Sequence, residues 1–297
     1  MKKIIAMAII VLAMTAPDSG AQTFPAMPQN LDAQTGEKPA DKVTISANYT
    51  LSGIGFSIND HDSGSILTWR DIYLHGAQIN VGFNKTNIGV GFHKSFHGYH
   101  TDDDATNDLN VIHIASTEAI LLDLKYEILL EENILNPVLG MDFNYLKLEN
   151  YDAKPYFSRN NNYNWKNMTG LTNKSDIYKF CFYGGVQVKT DEKLFYINAS
   201  GQIGLGVDLV LADWTLRSDF KHPVSFYNIS YYFRTGGDLE MGLRLGKLTI
   251  FTKALLIYEI GLGFTEFFLS KDDELSIQYT TLDFFRPALN AGLKVSF

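Results

Sequence analysis

The chain has 297 residues, 45% hydrophobic and 20% charged, with 24 Gly, 8 Pro and a formal net charge of −8. That composition excludes a disordered chain, and the acidic balance leaves no basic field to bind a phosphate backbone, so no nucleic-acid partner is expected. A single cysteine, Cys181, excludes an intramolecular disulfide or a multi-thiolate metal centre.

At the start, Lys2 and Lys3 precede an apolar run from Ile4 to Met14, and Pro17-Asp18-Ser19-Gly20-Ala21 follows shortly after. A basic start, a short apolar run and small residues at Ser19 and Ala21 are the pattern of a secretory signal peptide over 1–21, with cleavage expected before Gln22. The run is too short to cross a bilayer as a helix. Residues 22–42, with Pro25, Pro28 and Pro39, read as a periplasmic N-terminal leader.

From residue 43 onward the governing period is two. Val43, Ile45, Ala47, Tyr49 and Leu51 alternate with Thr44, Ser46, Asn48, Thr50 and Ser52. The clearest stretch begins at Phe195, where Ile197, Ala199, Gly201, Ile203, Leu205, Val207, Leu209 and Leu211 alternate with Asn198, Ser200, Gln202 and Asp208. Strands of that length with one oily face exceed what a soluble sandwich uses and suit a tilted crossing of an outer membrane. The pattern predicts an all-β fold, a closed antiparallel transmembrane β-barrel over 43–297. Its ten strands are expected near 43–58, 66–83, 88–101, 109–127, 137–150, 177–190, 194–216, 225–246, 248–270 and 277–297. Short links at 85–87, 191–193 and 246–247 read as periplasmic, and the longer ones at 59–65, 102–108, 151–176, 217–224 and 271–276 as external. The last strand alternates to a terminal Phe297, as the assembly signal of bacterial outer-membrane barrels does. The expected location is therefore the bacterial outer membrane.

Alternation assigns Asp142, Lys179, Asp208, Glu240, Arg244, Lys253, Glu259, Arg286 and Lys294 to the lumen, where they are expected to pair into a charged plug rather than line a porin channel. Cys181 reads as a structural inward residue. Gly-x-Ser-x-Gly and His-Glu-x-x-His are both absent, which argues against serine or zinc hydrolysis. Acid and histidine chemistry concentrates in two external connections. The second reads His97-Gly98-Tyr99-His100-Thr101-Asp102-Asp103-Asp104, where residues two apart share a face if the strand continues. The fourth reads Asp213-Trp214 to Ser218-Asp219-Phe220-Lys221-His222-Pro223, where an Asp three residues before a His orients the imidazole if the chain turns between them.

Together these features resemble the omptin family of outer-membrane endopeptidases. The resemblance is carried by the ten-strand layout, Ser65-Ile66-Leu67-Thr68-Trp69 at the start of strand two, the acidic second loop, and Trp214 followed by Asp219 and His222. It implies a surface endopeptidase cleaving near basic residues. The acidic pair would be Asp102 with Asp104, the dyad Asp219 with His222, and Asp103 and Asp213 further acidic contacts for substrate. Two residues separate Asp219 from His222 where the family has one, and Asp103 is an equal candidate for the acidic pair. No cofactor or metal is implied, with lipopolysaccharide as an activator and membrane partner of a monomer. The alternative is a non-catalytic adhesin or receptor barrel that binds through the long third loop, where Tyr156, Phe157, Tyr163 and Trp165 stand among asparagines.

Overall fold

The computed structural model describes residues 43–60, 66–104, 111–130, 135–158, 170–190, 194–214, 224–268 and 276–297. They form ten strands: β1 (Val43–Asp60), β2 (Ile66–Phe83), β3 (Thr86–Asp104), β4 (Val111–Leu129), β5 (Leu135–Ser158), β6 (Leu171–Lys189), β7 (Phe195–Trp214), β8 (Val224–Leu245), β9 (Leu248–Phe268) and β10 (Ser276–Ser296). Each pairs antiparallel with its sequence neighbours, and β1 closes on β10 from Thr44 opposite Ser296 to Asp60 opposite Thr280. Closure leaves no unpaired strand edge, the condition for carrying a sheet through hydrocarbon. The fold is the closed ten-stranded antiparallel barrel that the alternation predicts. The expected signal peptide and leader, residues 1–42, lie outside the described residues.

Two expected connections are shorter than the sequence suggests. β3 continues to Asp104, and the region read as a long third loop, 151–176, is largely ladder: β5 runs to Ser158 and β6 starts at Leu171. Strand signals fade there because the sequence ceases to alternate apolar with polar residues, not because pairing stops. The extension is irregular. Asp152 adopts φ 53° beside a register shift at Asn150/Tyr151, and its N–H donates to the Gly170 carbonyl at 3.0 Å while Gly170 N–H donates to Asp152 Oδ1 at 2.9 Å.

Outward positions make an apolar band. Ile79 and Val81 on β2, Val90 and Phe92 on β3, Leu205 on β7 and Leu262 on β9 are all exposed, Leu262 to 70%. So much bare apolar surface fits contact with lipid rather than water. Towards the longer connections the outward face turns charged, with Lys147 and Glu149 on β5 and Lys174 and Asp176 on β6 joined as pairs at 2.5 Å and 3.3 Å.

The interior divides along its length. Near the short turns and the middle it is ionic. Arg234 donates to Glu259 at 2.6 Å and also meets Asp142, and Lys179 lies against Glu259 and 3.8 Å from Asp208. Arg286 grips Asp123 at 3.0 and 2.6 Å, with His93 3.1 Å from the same carboxylate. Lys294 meets Glu240 at 3.0 Å and Lys253 meets Asp238 at 3.1 Å, while Arg244 lies 4.8 Å from the centre of the Tyr196 ring. All nine residues assigned to the lumen take part, and Asp123, Lys125, Glu127, Arg234 and His93 join them unforeseen. Tyrosine rings fill what remains: Tyr232 lies over Gly206, where a Cβ would sit 2.2 Å from the ring, so the strand there must be bare.

Near the longer connections the interior is instead an apolar plug of Ile54, Phe56, Trp69, Ile72, Leu74, Leu121, Leu146, Leu148, Ile177, Phe226 and Phe284, each at most 4% exposed. The charged plug expected from sequence is thus only part of the filling. Above the lipid band the alternation inverts: Ile54, Phe56 and Ile58 point in while Gly55, Ser57 and Asn59 point out, because there the interior is dry and the exterior wet.

Candidate active site at the barrel mouth

The two acidic connections leave the barrel between β3 and β4 and between β7 and β8. On one side β5 and β6 separate β4 from β7, and on the other four strands separate β8 from β3, so the two connections rise from facing walls.

At the end of β3 the register is regular. His100 pairs with Trp69 of β2 and Ala115 of β4, Asp102 with Leu67 and His113, Asp103 with Ile66 and Ile112, and Asp104 with Val111. Directly opposed residues share a face of the sheet, and alternate residues return to it. Trp69 and Ala115 are buried inside the barrel at 0% and 2% exposure. Positions 100, 102, 104 and 113 therefore belong to the interior face, and position 103 to the outer one. Register separates the aspartate triplet where sequence left Asp103 level with its neighbours. It also brings in His113, which sequence reasoning missed: a lone histidine in Val111-Ile112-His113-Ile114 carries no motif, and its partner is identifiable only from the pairing of β3 with β4.

On the facing wall, Asp213, one residue before the end of β7, is exposed on the outside of the barrel and accepts a hydrogen bond from Ser225 Oγ at 2.7 Å. Trp214 pairs with Asn173 and Val224. Asp219 and His222 lie outside the described residues, as do Tyr163 and Trp165 of the third loop, while Tyr156 and Phe157 fall on β5.

A second group occupies the outer face of β2 and β3. Arg70, His75, Lys94 and His97 are exposed there, with His75 directly opposite Lys94 and Tyr73 opposite His97. Aromatic rings interleave: His97 stacks on Tyr73 at 6.0 Å and meets Tyr99 edge-on at 4.6 Å, and His75 meets Phe96 at 5.9 Å. Neither Arg70 nor Lys94 has an acidic partner among the described residues, in contrast to the paired lysines of β5 and β6. A cavity of about 340 Å³ adjoins Arg70, lined by Gly55, Ser57, Thr68, Asp283 and Phe285. On β5, beyond the lipid band, the Lys147 hydrogen bond holds the Glu149 carboxyl below the usual glutamate range, and Tyr151 adds a second donor at 3.1 Å. Cys181 is buried in the lumen, consistent with a structural role.

No family model matches the chain, and no curated protein matches it by sequence. In structure it is similar to the outer membrane protease OmpT from Escherichia coli, with a TM-score of 0.63 at 12% identity over 88% of this chain and 98% of that one. The outer membrane protein OprG from Pseudomonas aeruginosa matches at a TM-score of 0.34 and 13% identity, covering 86% of this chain and 95% of that one. The translocator domain of the autotransporter NalP from Neisseria meningitidis matches at 0.33 and 8%, covering 85% and 88%. The chain is, in fold, an omptin-like barrel of the outer-membrane type.

Proposed function

We propose that this barrel resides in the bacterial outer membrane as a surface endopeptidase cleaving exposed peptides next to basic residues. The observation that carries the reading is the register of β3. It sets Asp102 and Asp104 on the interior face of one wall, facing the wall whose connection bears Asp219 and His222. The name of the structurally similar protein, an outer membrane protease, points the same way. In this reading a water lies between the aspartate pair and His222. His222 takes its proton as the water attacks the scissile carbonyl, then passes it to the leaving amine, while Asp219 orients the imidazole and stabilises its cation. One proton shared by Asp102 and Asp104 keeps two close carboxylates from repelling. Asp103 and Asp213 extend the negative rim that attracts a cationic substrate.

The reading includes lipopolysaccharide as activator. Arg70 and Lys94, without an acidic partner among the described residues and interleaved with Tyr73, Phe96 and Tyr99 on the outer face, are suited to a phosphorylated lipid headgroup.

The test is a quenched peptide library rich in Lys and Arg, given to the refolded barrel with and without lipopolysaccharide, beside Asp102→Ala and His222→Ala. Cleavage by the parent, reduced by roughly 10²-fold or more in each variant, is expected. Silence in the parent, with heat-modifiable mobility proving it folded, would overturn the peptidase. A second reading, an adhesin or receptor, draws on β5, the longest strand at 24 residues, which carries Tyr156 and Phe157 towards the external end.

A further inference from the structure

We propose that the outer face of β10, β1 and β2, just above the lipid band, binds a membrane lipid with a zwitterionic phosphoethanolamine headgroup, Arg70 taking the phosphate and Asp283 the ammonium. The inference rests on the outer-membrane reading of the barrel and not on the peptidase. Both side chains line one cavity of about 340 Å³, a size in the range of small-ligand sites. Yet no ion pair joins them. Asp283 accepts a hydrogen bond from the Tyr258 hydroxyl at 3.3 Å, and Arg70 has no acidic partner among the described residues. Opposite charges that face one hollow and leave it open are complementary to a ligand carrying both signs.

Backbone and register make the hollow. β1 reads Gly53-Ile54-Gly55-Phe56, so two successive outward positions are bare. A Cβ at Gly55 would meet only Phe285 Cβ, at 4.0 Å, and one at Gly53 the Pro287 ring at 3.5 Å, so side chains would fit there and their absence is what opens the cavity. Opposite Gly55, β2 carries a bulge: Ile54 pairs with Ile72 and Phe56 with Trp69, which leaves Arg70 and Asp71 facing one residue, Asp71 at φ 53°. A bulge re-aims side chains, and this one sets Arg70 and Asp71 outside in succession. One row nearer the rim, Asp283 lies opposite Ser57 and Ser57 opposite Thr68, a line of oxygens across three strands. Neighbouring strands are about 4.8 Å apart and alternate residues about 7 Å, which sets the Cα atoms of Arg70 and Asp283 about 12 Å apart. A guanidinium on its long stem and a short carboxylate reach in from the two ends of that span, with phosphate and ammonium between them. Two rows below Gly55, Leu51 lies opposite Leu289, both exposed in the apolar band, which gives the acyl chains of a bound lipid their track and favours a lipid over a soluble zwitterion.

The experiment is native mass spectrometry of the refolded full chain in micelles doped with lipid A and with phosphatidylethanolamine, phosphatidylglycerol and phosphatidylcholine of the same acyl chains, with heat-modifiable mobility as the folding control. One phosphatidylethanolamine per barrel is expected to stay bound. It should be preferred by roughly tenfold or more over phosphatidylglycerol, which lacks the ammonium, and over phosphatidylcholine, whose ammonium has no N–H to donate to Asp283. Asp283→Asn should erase the preference over phosphatidylglycerol, and Arg70→Ala should weaken retention of both. Gly55→Leu, which fills the hollow, should abolish retention, whereas Lys147→Ala on the outer face of β5 should change nothing. Soluble glycerophosphoethanolamine should compete more weakly than the lipid, by roughly tenfold or more. Equal retention of the three phospholipids by the parent, retention of lipid A alone, parental selectivity in the folded Asp283 and Gly55 variants, or equal competition by the soluble headgroup would overturn the site. A chain that never becomes heat-modifiable in micelles would overturn the outer-membrane reading and the site with it. Selective retention without peptide cleavage would leave the site standing and sink the peptidase; cleavage without retention would do the reverse.

Discussion

The lumen near the longer connections and the lumen near the short turns are both filled, yet they resist water in different ways. The first is a plug of packed apolar side chains, Trp69, Leu121, Leu146, Ile177 and Phe226 among them. The second is an ionic lattice with links across the barrel, Arg286 of β10 to Asp123 of β4 and Arg234 of β8 to Asp142 of β5, as well as between neighbouring strands, Arg234 to Glu259 of β9. The lattice braces opposite walls, the plug seals the end, and any chemistry at the mouth is performed over a dry floor.

The comparison breaks most visibly at Arg234. Replacing it by Ala leaves Asp142 and Glu259 buried without their shared cation, an arrangement that typically costs about 3–5 kcal/mol. Urea unfolding of the refolded barrel in micelles is expected to show that loss. The paired change Arg286→Met with Asp123→Leu removes both charges of one link and should cost less than Arg234→Ala, the loss being that of the His93 and Asn144 contacts to Asp123 and not of an uncompensated buried charge. A large loss there would mean that the lattice stabilises by attraction and not merely by mutual neutralisation.

Leu146→Ala tests the other half. Truncating a fully buried leucine is expected to cost about 3 kcal/mol. The same variants locate the seal. In planar bilayers the parent and Arg234→Ala should both be electrically silent, because the plug is intact in each. Conductance steps from Arg234→Ala would place the seal in the lattice instead.

What the sequence disclosed follows the same division. Where lipid lies outside and polar groups inside, as from Phe195 to Leu211, the two faces differ and the strand is legible. Where the plug lies inside and lipid still outside, both faces are oily: Ile120-Leu121-Leu122-Asp123-Leu124 reads as one apolar run, and Asp123 is lost in it although it faces the lumen. Arg234 is hidden similarly, in Tyr231-Tyr232-Phe233-Arg234, because large aromatics occupy both faces. The candidate site was legible as residue types but not as geometry. Sequence could name three consecutive aspartates, whereas sorting Asp102 and Asp104 from Asp103, and setting His113 opposite Asp102, required the pairing partners.

The smallest expected effect lies outside the lumen, at Lys147 and Glu149. Their contact is short, 2.5 Å, but both side chains retain more than a fifth of their exposure, so water screens the pair. Glu149→Gln should therefore cost at most about 0.5 kcal/mol at neutral pH. Its carboxyl is held below the usual glutamate range in the folded barrel, so the contribution is complete above that range and disappears as the pH falls through the folded value. Thermal unfolding of parent and variant should thus differ slightly at pH 7 and coincide in acid. A difference of 2 kcal/mol or more, on the order expected of a drier ion pair, would mean that the hydrocarbon boundary lies further out than Lys147. The inversion of alternation above the lipid band would then begin inside the membrane, and the plug, not the lattice, would be the part of the lumen that lipid surrounds.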